Sequence, residues 1–156
     1  MKKYYLTQLT TLFLGNLVAW KAVYDDFARY FSAGGKLLDV AGCTVPNPVT
    51  TPCFYGAFGF LGTLAWTWVI FKKKDLVAQV RQQKYLSWFL VGCALFGGFN
   101  FTKLYLDYMY GSQIGCSGAP MTTPFATPCF YGASLFLAAL IVSWVVLHKE
   151  MKAAHG

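Results

Sequence analysis

Four stretches of the chain are almost wholly apolar, and each is long enough to cross a lipid bilayer as a helix. They run approximately over residues 6–23, 53–71, 85–104 and 129–147. A helix rises about 1.5 Å per residue, so about 20 residues cover a hydrocarbon core of about 30 Å. The second and fourth stretches contain no charged residue. The pattern therefore predicts an all-α membrane protein, a bundle of four transmembrane helices.

The second and fourth stretches also share a sequence. Residues 51–57 read Thr-Pro-Cys-Phe-Tyr-Gly-Ala, and residues 127–133 repeat these seven residues without change. An internal repeat of this kind predicts two tandem helix–loop–helix units, residues 1–78 and 79–156, which together form one membrane domain. Each unit crosses the membrane twice, so we expect the two copies in parallel orientation about a pseudo-twofold axis along the membrane normal.

Glycine recurs along the second and third stretches. Small residues let two helices approach each other closely in lipid. We therefore expect packing against neighbouring helices at Gly56, Gly59, Gly62, Gly92, Gly97 and Gly98.

The composition excludes several classes of protein. Hydrophobic residues make up 56% of the chain and charged residues 12%, where about a quarter charged is typical of soluble domains. A soluble domain of this size cannot bury so much apolar side chain and still cover itself with polar groups. A soluble enzyme, a disordered segment and a nucleic-acid-binding module are therefore poor interpretations.

The basic residues predict an orientation in the membrane. The formal net charge is +7, and nine of the 13 basic residues lie before the first stretch, between the second and third, or after the fourth. Positive charge favours the cytoplasmic side, so we expect both termini and the loop with Lys72, Lys73 and Lys74 inside. The two longer loops, which carry cysteines, should lie outside. This predicts an integral protein of a bacterial inner membrane, with the lipid bilayer as a partner and no nucleic acid.

The cysteines are the most informative polar positions. Cys43 and Cys53 belong to the first outer loop, and Cys116 and Cys129 belong to the second. An oxidising compartment favours disulfides, and one bridge per repeat, Cys43–Cys53 and Cys116–Cys129, is the simplest connectivity. Pairing across the repeats remains open. A bridge that staples such a loop contributes roughly 2–4 kcal/mol. Cys93, inside the third stretch, is expected to be a small buried apolar residue.

Cys53 and Cys129 are also candidate redox thiols. Each follows a Thr-Pro pair, in which threonine suits the helix N-cap and proline suits the first helical position. The cysteine then lies in the first helical turn, where free N–H groups and the helix dipole stabilise a thiolate. Such a thiol is a good leaving group in disulfide exchange. It would also lie near a quinone dissolved in the bilayer.

Four membrane helices with cysteine pairs in the outer loops resemble two families of membrane oxidoreductases. These are the disulfide-bond-forming quinone reductases and the vitamin K epoxide reductases, small helical bundles whose thiols pass electrons to a quinone. The resemblance covers the architecture and the position of Cys43 and Cys53 before the second stretch. It implies a quinone cofactor and redox roles for Cys53 and Cys129. The chain departs from both families because no two of its cysteines are spaced C-x-x-C.

Polar residues near the outer surface form a second candidate set. Lys21 and Asp25, and likewise Lys103 and Asp107, are spaced i, i+4, so each pair can meet on one helix face. Ionisable groups near the interface can extend to water, so ion pairing is the simpler interpretation. Asn16 and Asn100 lie deeper, and their side chains could form hydrogen bonds across a helix interface or hold a polar head group. Asp26 is the remaining candidate of this set. No metal-ligand spacing occurs in the sequence.

Three functions follow from these features. The first is a small tetraspan protein that acts as a structural, accessory or interaction subunit and packs against itself or other membrane proteins. The second is a thiol–disulfide or quinone-linked oxidoreductase that uses Cys53 or Cys129. The third is a small transporter with a pathway on the pseudo-twofold axis, lined by the asparagines and the Lys/Asp pairs. The absence of catalytic motifs and the duplicated cysteine pair favour the first.

Overall fold

The chain folds as four long helices. A computed structural model describes residues 2–36, 46–115 and 118–155. Within these residues β structure is limited to one isolated bridge, between Ile114 and Pro120. The helices are α1 (Lys2–Ser32), α2 (Pro52–Lys72), α3 (Leu76–Met109) and α4 (Pro128–His155), with short 3₁₀ turns at Pro48–Thr50 and Pro124–Ala126. The all-helical class is confirmed.

Three of the helices can cross a membrane by length and composition. They are Pro52–Lys72, Leu76–Met109 and Pro128–Ala153. This agrees with an integral membrane protein. Helix α1 has 31 residues, but it is not among the three, because polar side chains interrupt its apolar stretch. These polar side chains are Thr7, Gln8, Thr10, Thr11 and Asn16.

The bundle has two chemically different ends. One end, here called the lysine end, holds the start of α1, the end of α4 and the turn with Lys72, Lys73 and Lys74. There the Asp75 side chain caps α3 by accepting from the Val77 N–H at 3.1 Å. The other end, the cysteine end, holds the first turns of α2 and α4. Each of those helices is preceded by its own 3₁₀ turn.

The helices pack in a ring. Helix α1 contacts α2 and α4, helix α3 contacts α4 and α2, and α2 reaches α4 across the centre. The backbones of the described parts of α1 and α3 do not approach each other closely, and the two helices meet through the Gln8 and Gln83 side chains. At the centre Phe60 and Phe136, which match in the sequence repeat, stack with ring centroids 3.8 Å apart and planes 8° apart. Gly15 lies against the Phe60 ring, where a Cβ atom would overlap it.

The expected glycine packing holds at two positions. A Cβ on Gly97 would lie 3.1 Å from the Ala133 Cα, and one on Gly59 would lie 3.2 Å from the Phe136 ring. The prediction was wrong for four others, which have no described atom within 4 Å of that position: Gly56, Gly62, Gly92 and Gly98. No described side chain covers these four positions, so the bundle leaves part of its small-residue surface uncovered.

Candidate functional site

The two repeated cysteines lie at equivalent positions, in the first turns of α2 and α4. Thr51 occupies the N-cap position of α2 as predicted, but its side chain makes no capping bond. Its hydroxyl instead donates to the Pro48 carbonyl at 2.7 Å, and the Thr127 hydroxyl donates to the Pro124 carbonyl at 2.6 Å. Each threonine hydroxyl thus donates within the 3₁₀ turn before its helix and closes that turn.

Cys53 and Cys129 line one central cavity of about 50 Å³. All four helices contribute to its wall, and the Phe60 and Phe136 rings form part of it. The lining is almost wholly apolar, with Asn100 as the main polar side chain. The volume suits one or two water-sized molecules. A quinone would find only one polar side chain in this lining, that of Asn100, whose amide already donates to the Phe96 carbonyl, so the residues present fit poorly the cofactor that the resemblance implies.

The cysteines differ in state between the two halves. Cys53 carries a free thiol, whereas Cys129 is disulfide-bonded. Cys43 and Cys116 lie outside the described residues. The expected Cys43–Cys53 bridge is therefore not formed in the structure, and the expected partner of Cys129, Cys116, stays a prediction. Counting one pair per loop could not reveal this difference, because both loops contain the same number of cysteines.

The thiol of the third described cysteine is more exposed than predicted. Cys93 is a free, half-buried thiol rather than a fully buried apolar residue. It lies at the floor of a groove of about 670 Å³ between α2 and α3. Gly56 and Gly92 form part of this groove, and Phe58 and Trp88 form its walls. The groove lies in the half of the α2–α3 interface, here called the α2–α3 seam, that is nearer the cysteine end.

The two asparagines do not meet. Asn100 borders the cavity, but its amide donates to the Phe96 carbonyl of its own helix at 2.8 Å. Asn16 buries its Oδ1 atom without a hydrogen-bond partner in the described part of the chain. The predicted bond across a helix interface therefore does not form at either residue, since the Asn100 amide finds an acceptor one turn away.

The charged candidates give a mixed result. Lys21 and Asp25 form the expected ion pair at 2.6 Å on an exposed face. Lys103 and Asp107 are exposed, and neither takes part in an ion pair within the described residues. Their predicted pairing was wrong, because both side chains reach water. Asp26 is buried and pairs with Arg29 on the same helix, a pair that the spacing analysis missed.

A cluster of buried polar side chains lies at the lysine end, and the sequence patterns did not predict it. The Gln83 Nε2 atom donates to Gln8 Oε1 at 3.1 Å and to Ser143 Oγ at 2.9 Å. Ser87 and Ser143 join their hydroxyls at 2.8 Å. We call Gln8, Gln83, Ser87 and Ser143 the polar core. A polar residue inside an apolar stretch is the signal that could have identified Gln8 and Ser143.

A tyrosine–glutamate pair lies at the same end of the bundle as the polar core. The Tyr5 hydroxyl donates to Glu150 Oε1 and so joins the start of α1 to the end of α4. Glu150 is only 1% exposed, although its position among Lys149 and Lys152 is typical of a surface charge. The structure thus buries the Glu150 carboxyl group inside the bundle, whereas the position of Glu150 in the sequence predicts the cytoplasmic surface.

No protein-family model matches the chain, and no similar curated protein or solved structure was found.

Proposed function

We propose that the chain is a small tetraspan membrane protein that acts as an interaction or accessory subunit. In this proposal α1 also crosses the bilayer, because it packs lengthwise against α2 and α4, two helices that can themselves span. Its polar side chains are tolerated where they face other helices rather than lipid. Both termini and the lysine end lie in the cytoplasm of a bacterial cell, since the basic residues concentrate there.

The two units, residues 1–78 and 79–156, are parallel copies about a pseudo-twofold axis. A residue that lies on such an axis touches its own counterpart. Phe60 and Phe136 match at the offset of the repeat and stack face to face at the centre. Helices α2 and α4 are therefore the inner pair, and α1 and α3 are the outer pair. This arrangement supports the tandem-repeat interpretation.

The groove between α2 and α3 is the observation that carries the proposed function. The axis relates this seam to the seam between α4 and α1. The α4–α1 seam is joined at the lysine end by the Tyr5–Glu150 bond. The α2–α3 seam is likewise joined at the lysine end, where the Trp66 indole N–H donates to Gln82 Oε1 at 2.9 Å. Nearer the cysteine end it leaves bare backbone at Gly56 and Gly92.

An uncovered glycine face with aromatic walls suits a helix of another membrane protein. Small residues allow close backbone approach in lipid, and aromatic side chains supply large contact area. The groove is also apolar, so a partner helix does not need to bring charge into the bilayer. We therefore assign the α2–α3 groove to a transmembrane helix of a partner protein.

The test compares two glycines of α3. Gly92→Leu fills the groove, whereas Gly98→Leu places the same side chain on the same helix outside the groove lining. Membranes of the native host are solubilised in mild detergent, and the size of the particle that contains the chain is measured by native electrophoresis. We expect the wild type and Gly98→Leu to migrate in a larger complex and Gly92→Leu to migrate at the size of the free chain. A wild type that migrates as the free 17.4 kDa chain contradicts the proposal.

A thiol–disulfide oxidoreductase is the second candidate, because a free thiol and a disulfide-bonded cysteine line the same cavity. Cys53 and Cys129 face it from α2 and α4. In this candidate function Cys116 is the partner of Cys129, and quinone binds outside the cavity. Thiol state is measured by mass spectrometry after equilibration in graded dithiol/disulfide buffers. A working couple titrates near about −200 mV, whereas a structural staple stays oxidised below about −300 mV.

A further inference from the structure

Three buried side chains at the lysine end have polar atoms without partners. Gln8, Gln83 and Glu150 are each at most 1% exposed. In the described part of the chain, no hydrogen-bond partner is found for Gln8 Nε2, Gln83 Oε1 or Glu150 Oε2. Native proteins rarely leave such atoms unsatisfied, because each loses its hydration without a replacement. The set consists of one donor and two acceptors.

Two of these atoms belong to a hydrogen-bonded pair of side chains, and the third is linked to that pair through α1. The Gln83 Nε2 atom donates to Gln8 Oε1 at 3.1 Å. The two atoms without partners, Gln8 Nε2 and Gln83 Oε1, are the other atoms of the same two amide groups. Tyr5, which holds Glu150, lies three residues before Gln8 on α1. Residues with this spacing share a helix face. Glu150 is therefore held on the same side of α1 as the glutamine pair.

Among the described residues, none with a positive charge pairs with Glu150. From α1 it receives the Tyr5 hydroxyl. The polar groups that α3 and α4 bury near the same end, Gln83, Ser87 and Ser143, are neutral. Helix α2 contributes buried threonines, whose hydroxyls donate to carbonyls of α2 itself. Neither ion pair of the described residues includes Glu150, and the adjacent Lys149 places its Nζ over the Tyr4 ring.

A carboxylate buried with only one hydroxyl donor is costly as an anion. A proton on Oε2 removes the charge and turns an unpaired acceptor into a donor. We propose that Glu150, Gln8 and Gln83 form a binding site for one proton and one internal water molecule. The water accepts from Gln8 Nε2 and from the protonated Glu150, and it donates to Gln83 Oε1. A metal cation fits less well, because it would face the N–H of Gln8.

The test uses infrared spectroscopy of the purified full-length chain in lipid vesicles. At neutral pH exposed carboxyl groups are ionised, so the carbonyl band of a protonated acid reports a buried one. We expect this band in the wild type, its loss in Glu150→Gln and its retention in Asp107→Asn, which changes an exposed carboxylate of α3. Exchange into D₂O should shift the band, because the acid proton contacts exchangeable water.

Two further variants test the site if Glu150→Gln does not fold. Gln8→Leu removes the donor to the water, and Tyr5→Phe removes the donor to the other carboxyl oxygen. Both should shift the carbonyl band, while Gln113→Leu, in an exposed part of the chain, should leave it in place. A spectrum without the band at neutral pH overturns the proposal. Loss of the band when sodium replaces choline at constant pH also overturns it, because the site would then hold a cation.

Discussion

Phe60 and Phe136 occupy the same position in the two copies of the repeat, and their rings stack with centroids 3.8 Å apart. Both are buried in the central hydrophobic cluster. The matched cysteines, Cys53 and Cys129, also line the same central cavity. The contact of two counterparts supports the axis proposed for the bundle and fixes α2 and α4 as its inner helices.

Removal of either ring should destabilise the bundle strongly. Phe60→Ala and Phe136→Ala should each lower the free energy of unfolding by about 3–5 kcal/mol, as expected for a buried phenylalanine. The double variant should cost less than the sum, because the two rings lose the same contact. Unfolding in mixed detergent, followed by helical circular dichroism, measures these values. The control is Phe99→Ala, since Phe99 is 70% exposed; an equal loss there would contradict the assignment.

Gly15 should not tolerate even one added methyl group. A Cβ on Gly15 overlaps the Phe60 ring, whereas one on Gly62 meets no described atom within 4 Å. We expect Gly15→Ala to cost about 1–3 kcal/mol through overpacking and Gly62→Ala to cost nothing or to stabilise the helix. Thermal unfolding in one detergent compares the two. Combination of Gly15→Ala with Phe60→Leu should recover part of the loss; if it does not, the Phe60 ring is not the obstacle.

The polar core should behave as a unit. Gln83→Leu leaves Gln8 and Ser143 without the amide that joins them, and each stranded buried group costs about 1–3 kcal/mol. The triple variant Gln8→Leu, Gln83→Leu, Ser143→Ala removes all these groups together, so it should be more stable than Gln83→Leu alone. The measurement is the detergent-unfolding midpoint of each variant. A triple variant less stable than the single one would show that the polar groups do not compensate one another.

The sequence predicts the helices better than their ends. The apolar stretch at residues 53–71 matches α2 almost to the residue, because Thr-Pro marks its start and lysines mark its end. The stretch at 85–104 underestimates α3, which begins at Leu76, since hydropathy marks the apolar core and not the polar turns that continue the helix. For the same reason α1 continues past residue 23 to Ser32.

The site could be predicted only in part. The repeat correctly places Cys53 and Cys129 in first helical turns, and both line the central cavity. The polar core could be predicted only in part: Gln8 and Ser143 are polar positions inside apolar stretches, but their contacts with Gln83 depend on the rotations of three helices. Such rotations are set by packing across the bundle, which no local pattern encodes.

Topology mapping tests the central claim, that four helices cross the membrane as two parallel copies. A short epitope is placed before Lys2, after Lys36, after Lys73 or after Ser112, one per variant, and antibody binding is compared in intact and lysed spheroplasts, whose outer membrane has been opened. We predict binding in intact spheroplasts only for the epitopes after Lys36 and Ser112. If the epitopes before Lys2 and after Lys36 are reached from the same side, α1 does not cross, and the account of two parallel copies is contradicted.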